Sequence, residues 1–249
     1  MLSGETITLY AAGGSDVARF VESIAHLNAD MPDWVLIGGI AVVMRLGKEH
    51  RATIDVDALT RSSQRMVELL GSRASPRGAH RFVVPVDTPL DVMEVGLVPG
   101  PGEVPSDEYA FAVVRAWAFD TAERVRVEVN SPKGDLLASA SMRIATPAAL
   151  VALKSVSLPR RAKSANPSKL MSDTIDLLAL VRDWHSVLSV VLADAPAVVV
   201  DTVVATCGRV FVTDARYTKA MLSKARQPVD PVGFAIAAAF CEELARRCR

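Results

Sequence analysis

The chain has 249 residues, of which half are apolar and 22% are charged; this fits one large or two small packed domains and excludes a disordered protein. Lys+Arg and Asp+Glu both number 28, so the formal net charge is zero, which excludes a uniformly basic nucleic-acid coat protein or an acidic tail. The zero divides unevenly: residues 1–120 carry 10 basic and 16 acidic side chains, and residues 121–249 carry 18 and 12.

Along the chain, Ser15-Asp16 reads as a helix N-cap, followed by Val17, Phe20, Val21, Ile24 and Leu27 at helical spacing. Pro32-Asp33 ends that helix. Trp34 to Ile37 is a short apolar run, typical of a buried strand, and Gly38-Gly39 leads from it into a helix over Ile40–Leu46 that Gly47 closes. After a polar loop over 48–52, Thr53 to Leu59 alternates as a strand. Ser62 caps a helix to about Leu70, and a basic loop covers 72–80. Arg81–Val86 and Pro89–Val95 read as strands, 98–106 as a Pro/Gly loop, and 109–119, 123–130 and Met142–Ala145 as further strands. From Pro147 the pattern turns helical. A helix covers 148–157, a basic connection 158–171, and a long helix capped by Ser172 runs to about Leu192. Helices over 196–206, 214–225 and 230–247 complete the chain. The expected architecture is α+β: a mixed-sheet domain over 1–146 and an all-helical domain over 147–249.

Cys207, Cys241 and Cys248 form an odd set without a CxxC spacing, which favours a reduced, cytoplasmic compartment. No apolar run is long enough to span a membrane, and the opening MLSGETITLY lacks the basic and then apolar stretch expected of a signal peptide. His26, His50, His80 and His185 have no metal-ligand spacing.

The chemistry concentrates in Ile37-Gly38-Gly39 and Thr53-Ile54-Asp55-Val56-Asp57. On a strand, side chains i and i+2 share a face, so Asp55 and Asp57 project together, about 7 Å apart along the chain. Two carboxylates among apolar neighbours are costly to desolvate. A divalent cation removes that cost, and Mg²⁺ is commonly held by one or two carboxylates plus substrate phosphates. Gly38 and Gly39, between a strand and a helix N-terminus, suit a phosphate. A third carboxylate is expected from a neighbouring strand. Asp91 is preferred over Glu94, which faces the opposite way by parity. Lys154 lies on an apolar helix face with Leu150 and Val151, where a cation is costly unless paired.

A double glycine followed by Asp-x-Asp on a strand resembles the DNA polymerase β-like nucleotidyltransferase superfamily. More closely, VLIGGIAVVMRLG and RATIDVDAL, then ATPAALVALK and SDTIDLLAL, resemble the AbiEii/MenT-type nucleotidyltransferase toxins over residues 34–180. The second-helix motif of these toxins begins with Lys where this chain has Ser172, with Lys169 one turn earlier. Many relatives also have Gly-Ser where this chain has Gly-Gly.

The resemblance implies transfer of a nucleotide from an NTP to an RNA acceptor, such as the 3′ end of tRNA, by a toxin with a cognate antitoxin. Asp55, Asp57 and Asp91 would hold Mg²⁺ or Mn²⁺, and Asp91 would also help deprotonate the acceptor. Lys154 would neutralise the leaving pyrophosphate, and Asp176 would orient Lys154 or hold the nucleotide. Gly38, Gly39, Thr53, Arg45, Lys169 and Asp173 would contact the NTP, in a cleft between the two domains; the equal alternative for Arg45 is an exposed helix residue. Arg160, Arg161 and Lys163, in the basic connection, would contact RNA, and Arg51 could also reach phosphates. Thr53 is further a position where phosphorylation or nucleotidylation would silence the site; its plainer reading is a β-branched strand residue. Alternatives are nucleotidylation of a small molecule of aminoglycoside type or of a protein, or a scaffold with a decayed site.

Overall fold

The computed structural model describes residues 5–28, 33–53, 55–71, 75–76, 81–84, 88–164, 166–225, 227 and 229–247. Ile54, Pro32, most of the 72–80 loop with His80, the Pro85–Val86 end of a predicted strand, and Cys248 lie outside the described residues. The fold is α+β, and it divides into two compact units, residues 1–97 with 119–146 and residues 98–118 with 147–249.

The first unit is built on an eight-stranded mixed sheet. Its strands are β1 (Thr6–Tyr10), β2 (Trp34–Ile37), β3 (Val56–Thr60), β4 (Ser75–Pro76), β5 (Arg81–Val84), β6 (Thr88–Glu94), β7 (Glu123–Asn130) and β8 (Leu136–Ile144). They lie in the order β1-β7-β8-β2-β3-β6-β5-β4. β2 is central and buried at all four residues, which is why it reads as an unbroken apolar run rather than an alternating one. β7 lies nearer the edge and alternates, with Val125, Val127 and Val129 inward. Helix α1 (Asp16–Asn28) packs on β7 and β8, and α2 (Gly38–Leu46) on β2 and β3. Helix α3 (Ser63–Gly71) lies against β4 and β6.

The second unit is helical: α4 (Ser106–Asp120, whose last two residues belong to the first unit), α5 (Pro147–Ala162), α6 (Pro167–Ala193), α7 (Ala197–Gly208), α8 (Ala215–Lys224) and α9 (Pro231–Arg247). A π-helical turn, Arg209–Thr213, joins α7 to α8. α5 packs against α6 and α7, and α9 against α6. No helix among the described residues is long and apolar enough to cross a membrane.

Several elements differ from the sequence reading. Residues 109–119 form helix, not strand. Valines and aromatics give the segment a strand-like composition, but Asp107 and Glu108 in the first turn and four alanines favour α4. β1 went unread, and β8 begins six residues earlier than expected. β3 starts at Val56, so Thr53 and Asp55 precede the strand.

The basic connection over 158–171 is largely helical. Pro159 sits inside α5 rather than ending it. A proline there has no N–H for the carbonyl four residues back. That carbonyl, of Ser155, instead accepts the Thr206 hydroxyl from α7 at 3.0 Å. Pro167 is at the start of α6, where the missing N–H costs nothing, and Asn166 caps the helix by accepting from the Lys169 N–H at 3.2 Å. Ser172 is therefore not a cap; its hydroxyl donates back to the Ser168 carbonyl within α6.

Candidate active site

The sheet register builds the first constellation. β2 pairs antiparallel with β3, setting Ile37 opposite Asp57. β3 pairs parallel with β6, setting Asp57 beside Asp91. β6 pairs antiparallel with β5, setting Asp91 beside Arg81. One row across four strands thus carries Ile37, Asp57, Asp91 and Arg81. Asp55 joins from the segment before β3. A carboxylate oxygen from each of Asp55, Asp57 and Asp91 lies within 4.8 Å of the other two, and all three residues are half-buried.

Gly38 follows Ile37 and turns the chain from β2 into α2 with φ +73°, a left-handed conformation that favours glycine. A Cβ there would overlap the Asp57 carboxylate, falling 2.8 Å from its Cγ. The first glycine therefore makes room for an aspartate of the site. At Gly39 a Cβ would meet the tip of Arg51 and, at 2.9 Å, the Thr53 hydroxyl. The space that sequence reading reserved for a phosphate at the glycines is lined here by Asp57, Arg51 and Thr53. Thr53 is buried, and Arg51 Nη1 donates to its hydroxyl at 3.3 Å.

Arg81 is a member of the site that sequence reasoning missed. Its Nε and Nη2 donate to the two Asp91 carboxylate oxygens at 2.7 and 2.9 Å, a bidentate fork. The Asp91 hydrogen bond and charge hold the guanidinium pKa above its ordinary value, and Asp55 and Asp57 add to the effect. The pairing depends on strand register across a hairpin, so no local spacing in the sequence announces it.

Arg45 requires a correction. Its side chain is 2% exposed. Nε donates to the Ala145 carbonyl and Nη2 to the Ile144 carbonyl, both at 3.0 Å, and Nη2 also reaches Glu123 at 2.9 Å. Glu5 lies 3.4 Å from Nη1. These bonds tie α2 to the end of β8, so Arg45 is a structural cation and not a phosphate ligand. Glu94 accepts the Ser63 hydroxyl and stands apart from the carboxylate cluster.

The second constellation belongs to the helical unit. Lys154 on α5 is buried, with Nζ 2.6 Å from Asp173 Oδ1 and 2.7 Å from Asp176 Oδ2, both on α6. Asp173 and Asp176 are three residues apart, so one face of α6 presents both. Burial works against the lysine charge, but Asp176 and Asp173 outweigh it and hold the pKa above the ordinary value. Arg161 approaches Asp173 at 3.5 Å. Arg160 lies 4.3 Å over the Phe111 ring and donates to the Asp107 carbonyl, while Lys163 and Lys169 are exposed. Arg160 and Arg161 are thus set at the end of α5 and Lys169 at the start of α6, with Lys163 in the short turn between them.

In a comparison with known families, the one described as "Nucleotidyl transferase AbiEii toxin, Type IV TA system" matches residues 19–231. The chain belongs to that family: it is a nucleotidyltransferase of the toxin class of type IV toxin–antitoxin systems. No curated protein and no solved structure matches it.

Proposed function

We propose that this AbiEii-family chain transfers a nucleotide from an NTP to a hydroxyl of RNA, the 3′ end of tRNA, in a reaction that depends on Mg²⁺ or Mn²⁺. The observation that carries the reading is the convergence of Asp55, Asp57 and Asp91, with their oxygens within 4.8 Å of one another against the Gly38 turn. Three hard oxygen donors suit a hard divalent cation. Octahedral Mg²⁺ with bonds of about 2.1 Å spaces its ligand oxygens roughly 3–4 Å apart, close to this spread. Bound there, the metal would polarise the triphosphate and offset its charge.

The chain's own residues would do the rest. Asp55 and Asp57 would hold the metal and with it orient the triphosphate. The acceptor hydroxyl oxygen bonds to the α-phosphorus, Asp91 takes up the hydroxyl proton, and the bond to the β-phosphate oxygen breaks to release pyrophosphate. Lys154 neutralises that leaving group, held as an ammonium by Asp176 and Asp173. Gly38, Gly39, Thr53 and Lys169 would line the NTP, with Arg51 beside them. Arg160, Arg161 and Lys163 would follow the RNA backbone. Catalysis here is positioning and charge stabilisation. Such a toxin acts where tRNA is found, in the cytoplasm, and a cognate antitoxin restrains it.

The test incubates the pure protein with Mg²⁺, total tRNA and each labelled NTP in turn, beside an Asp55→Ala control and an EDTA control. Label on tRNA that both controls abolish is the expected result. Label on protein or on a small molecule instead of RNA would move the acceptor class. No transfer to any acceptor would refute the reading.

A further inference from the structure

Arg81 occupies a position that the reaction above does not use. It is paired through strand register with Asp91, one of the three clustered carboxylates, and grips both its oxygens. Its charge is also felt by Asp55 and Asp57. Its side chain is half exposed, so it can leave Asp91 without unpacking anything. A planar guanidinium matches a carboxylate and a phosphate equally well.

We propose that Arg81 is a built-in counter-ion of the carboxylate cluster. It holds Asp91 in place before metal and nucleotide arrive, opposes the loading of a bare divalent cation, and gives up Asp91 when a triphosphate offers its oxygens instead. The site thereby selects a metal–nucleotide complex over the free metal. Arg81 is a positioning residue in this scheme. The proposal rests on the carboxylate cluster being the metal site of the nucleotidyltransferase reading.

Three properties of the pair distinguish it from an ordinary surface ion pair. First, the partner is a candidate metal ligand, and the pair competes directly with any cation that needs Asp91. Second, three neighbouring carboxylates repel one another without a cation, and Arg81 is one that the fold itself supplies. Third, a pair formed across adjacent strands is fixed by the sheet and costs less side-chain entropy than two free surface residues meeting.

The experiment measures Mn²⁺ binding by the loss of the free-ion electron paramagnetic resonance signal. Wild type, Arg81→Gln, Arg81→Lys and Asp57→Asn are compared, without nucleotide and with a non-hydrolysable α,β-methylene NTP. Circular dichroism checks the fold of each. Without nucleotide, Arg81→Gln should bind Mn²⁺ about tenfold tighter, the effect of removing one unit charge some 5–6 Å from a cation at a partly screened surface. The nucleotide analogue should tighten Mn²⁺ binding strongly in wild type and less in Arg81→Gln. Arg81→Lys, which keeps the charge but not the fork, should fall between them. Equal Mn²⁺ affinity in wild type and Arg81→Gln, with binding lost in Asp57→Asn, would overturn the role of Arg81 and leave the metal site standing. Absence of Mn²⁺ binding in every protein and condition would overturn the metal site, and the role of Arg81 with it.

Discussion

Replacing Asp176 tests whether the Lys154 cluster is the ionic centre of the helical unit. Asp176 is fully buried, and its Oδ2 lies 2.7 Å from Lys154 Nζ. Removing one partner of a buried ion pair costs about 3–5 kcal/mol, because the other charge is left in a poor solvent. Asp173 still reaches Lys154 at 2.6 Å, but it is shared with Arg161, so the lower end applies. Asp176→Ala should therefore lose about 3 kcal/mol, which lowers Tm by roughly 6–12 °C for a chain of this size. Asp176→Asn keeps the shape and an acceptor, and should lose about half as much. Urea unfolding followed by circular dichroism reads both. The pH dependence has a definite sign. The Lys154 pKa is raised in the folded state, so the stabilisation is complete below the ordinary value of 10.5 and is lost as pH climbs through the folded value above it. The gap between wild type and Asp176→Ala should therefore narrow in that alkaline range. An Asp176→Ala protein within about 0.5 kcal/mol of wild type would refute the reasoning, since surface changes are commonly that small.

Three further outcomes are expected. Gly38→Ala forces a Cβ into the Asp57 carboxylate at a left-handed φ and should reduce labelled-nucleotide transfer by more than about 100-fold, whereas Gly39→Ser meets only the movable Arg51 tip and the Thr53 hydroxyl and should stay within about tenfold of wild type; equal losses would contradict the geometry. Arg45→Met should lose about 3 kcal/mol in urea unfolding, because it strips donors from two carbonyls at the end of β8, and an unchanged urea midpoint with weakened NTP binding would restore the phosphate role. Asp230 caps α9 by accepting from the Val232 and Gly233 N–H groups at 3.0 Å, so Asp230→Ala should cost about 1 kcal/mol at neutral pH. The Gly233 N–H and Arg182 hold the Asp230 carboxyl below its ordinary 3.8, so its contribution is present above that value and is lost as pH falls through the folded value, where variant and wild type should converge.

The parts of the site that were legible in the sequence are those written in local spacing. The glycine pair stands within one strand–turn–helix, Asp57 on β3 with Asp55 just before it, and Lys154 stood out as a cation on an apolar face. Asp91 followed from parity on a single strand. Arg81 was not legible, because its role arises from the pairing of β5 with β6, and register is a property of two segments. Arg45 was misread for a related reason: proximity to the glycines in sequence said nothing of Glu5, Glu123 and the β8 carbonyls, which come from distant segments. α4 was lost to composition, since valine and phenylalanine count toward strand unless the acidic first turn and the alanines are weighed with them. The prolines at 159 and 167 misled because a hydroxyl from a distant helix serves the carbonyl that Pro159 leaves without an N–H, and Pro167 stands at a helix start, where the missing N–H costs nothing.

Pro159 and Thr206 also constrain the order in which this sequence can change. While proline stands at 159, the Ser155 carbonyl depends on a hydroxyl from α7, so Thr206→Val alone strands a buried acceptor. Once Pro159 is replaced by alanine, the helix supplies an N–H of its own, and the hydroxyl at 206 becomes dispensable. A lineage can pass through proline loss and then threonine loss without penalty, but the reverse sequence of steps crosses a deficit. The two positions, 47 residues apart in the chain, form a ratchet rather than two independent sites.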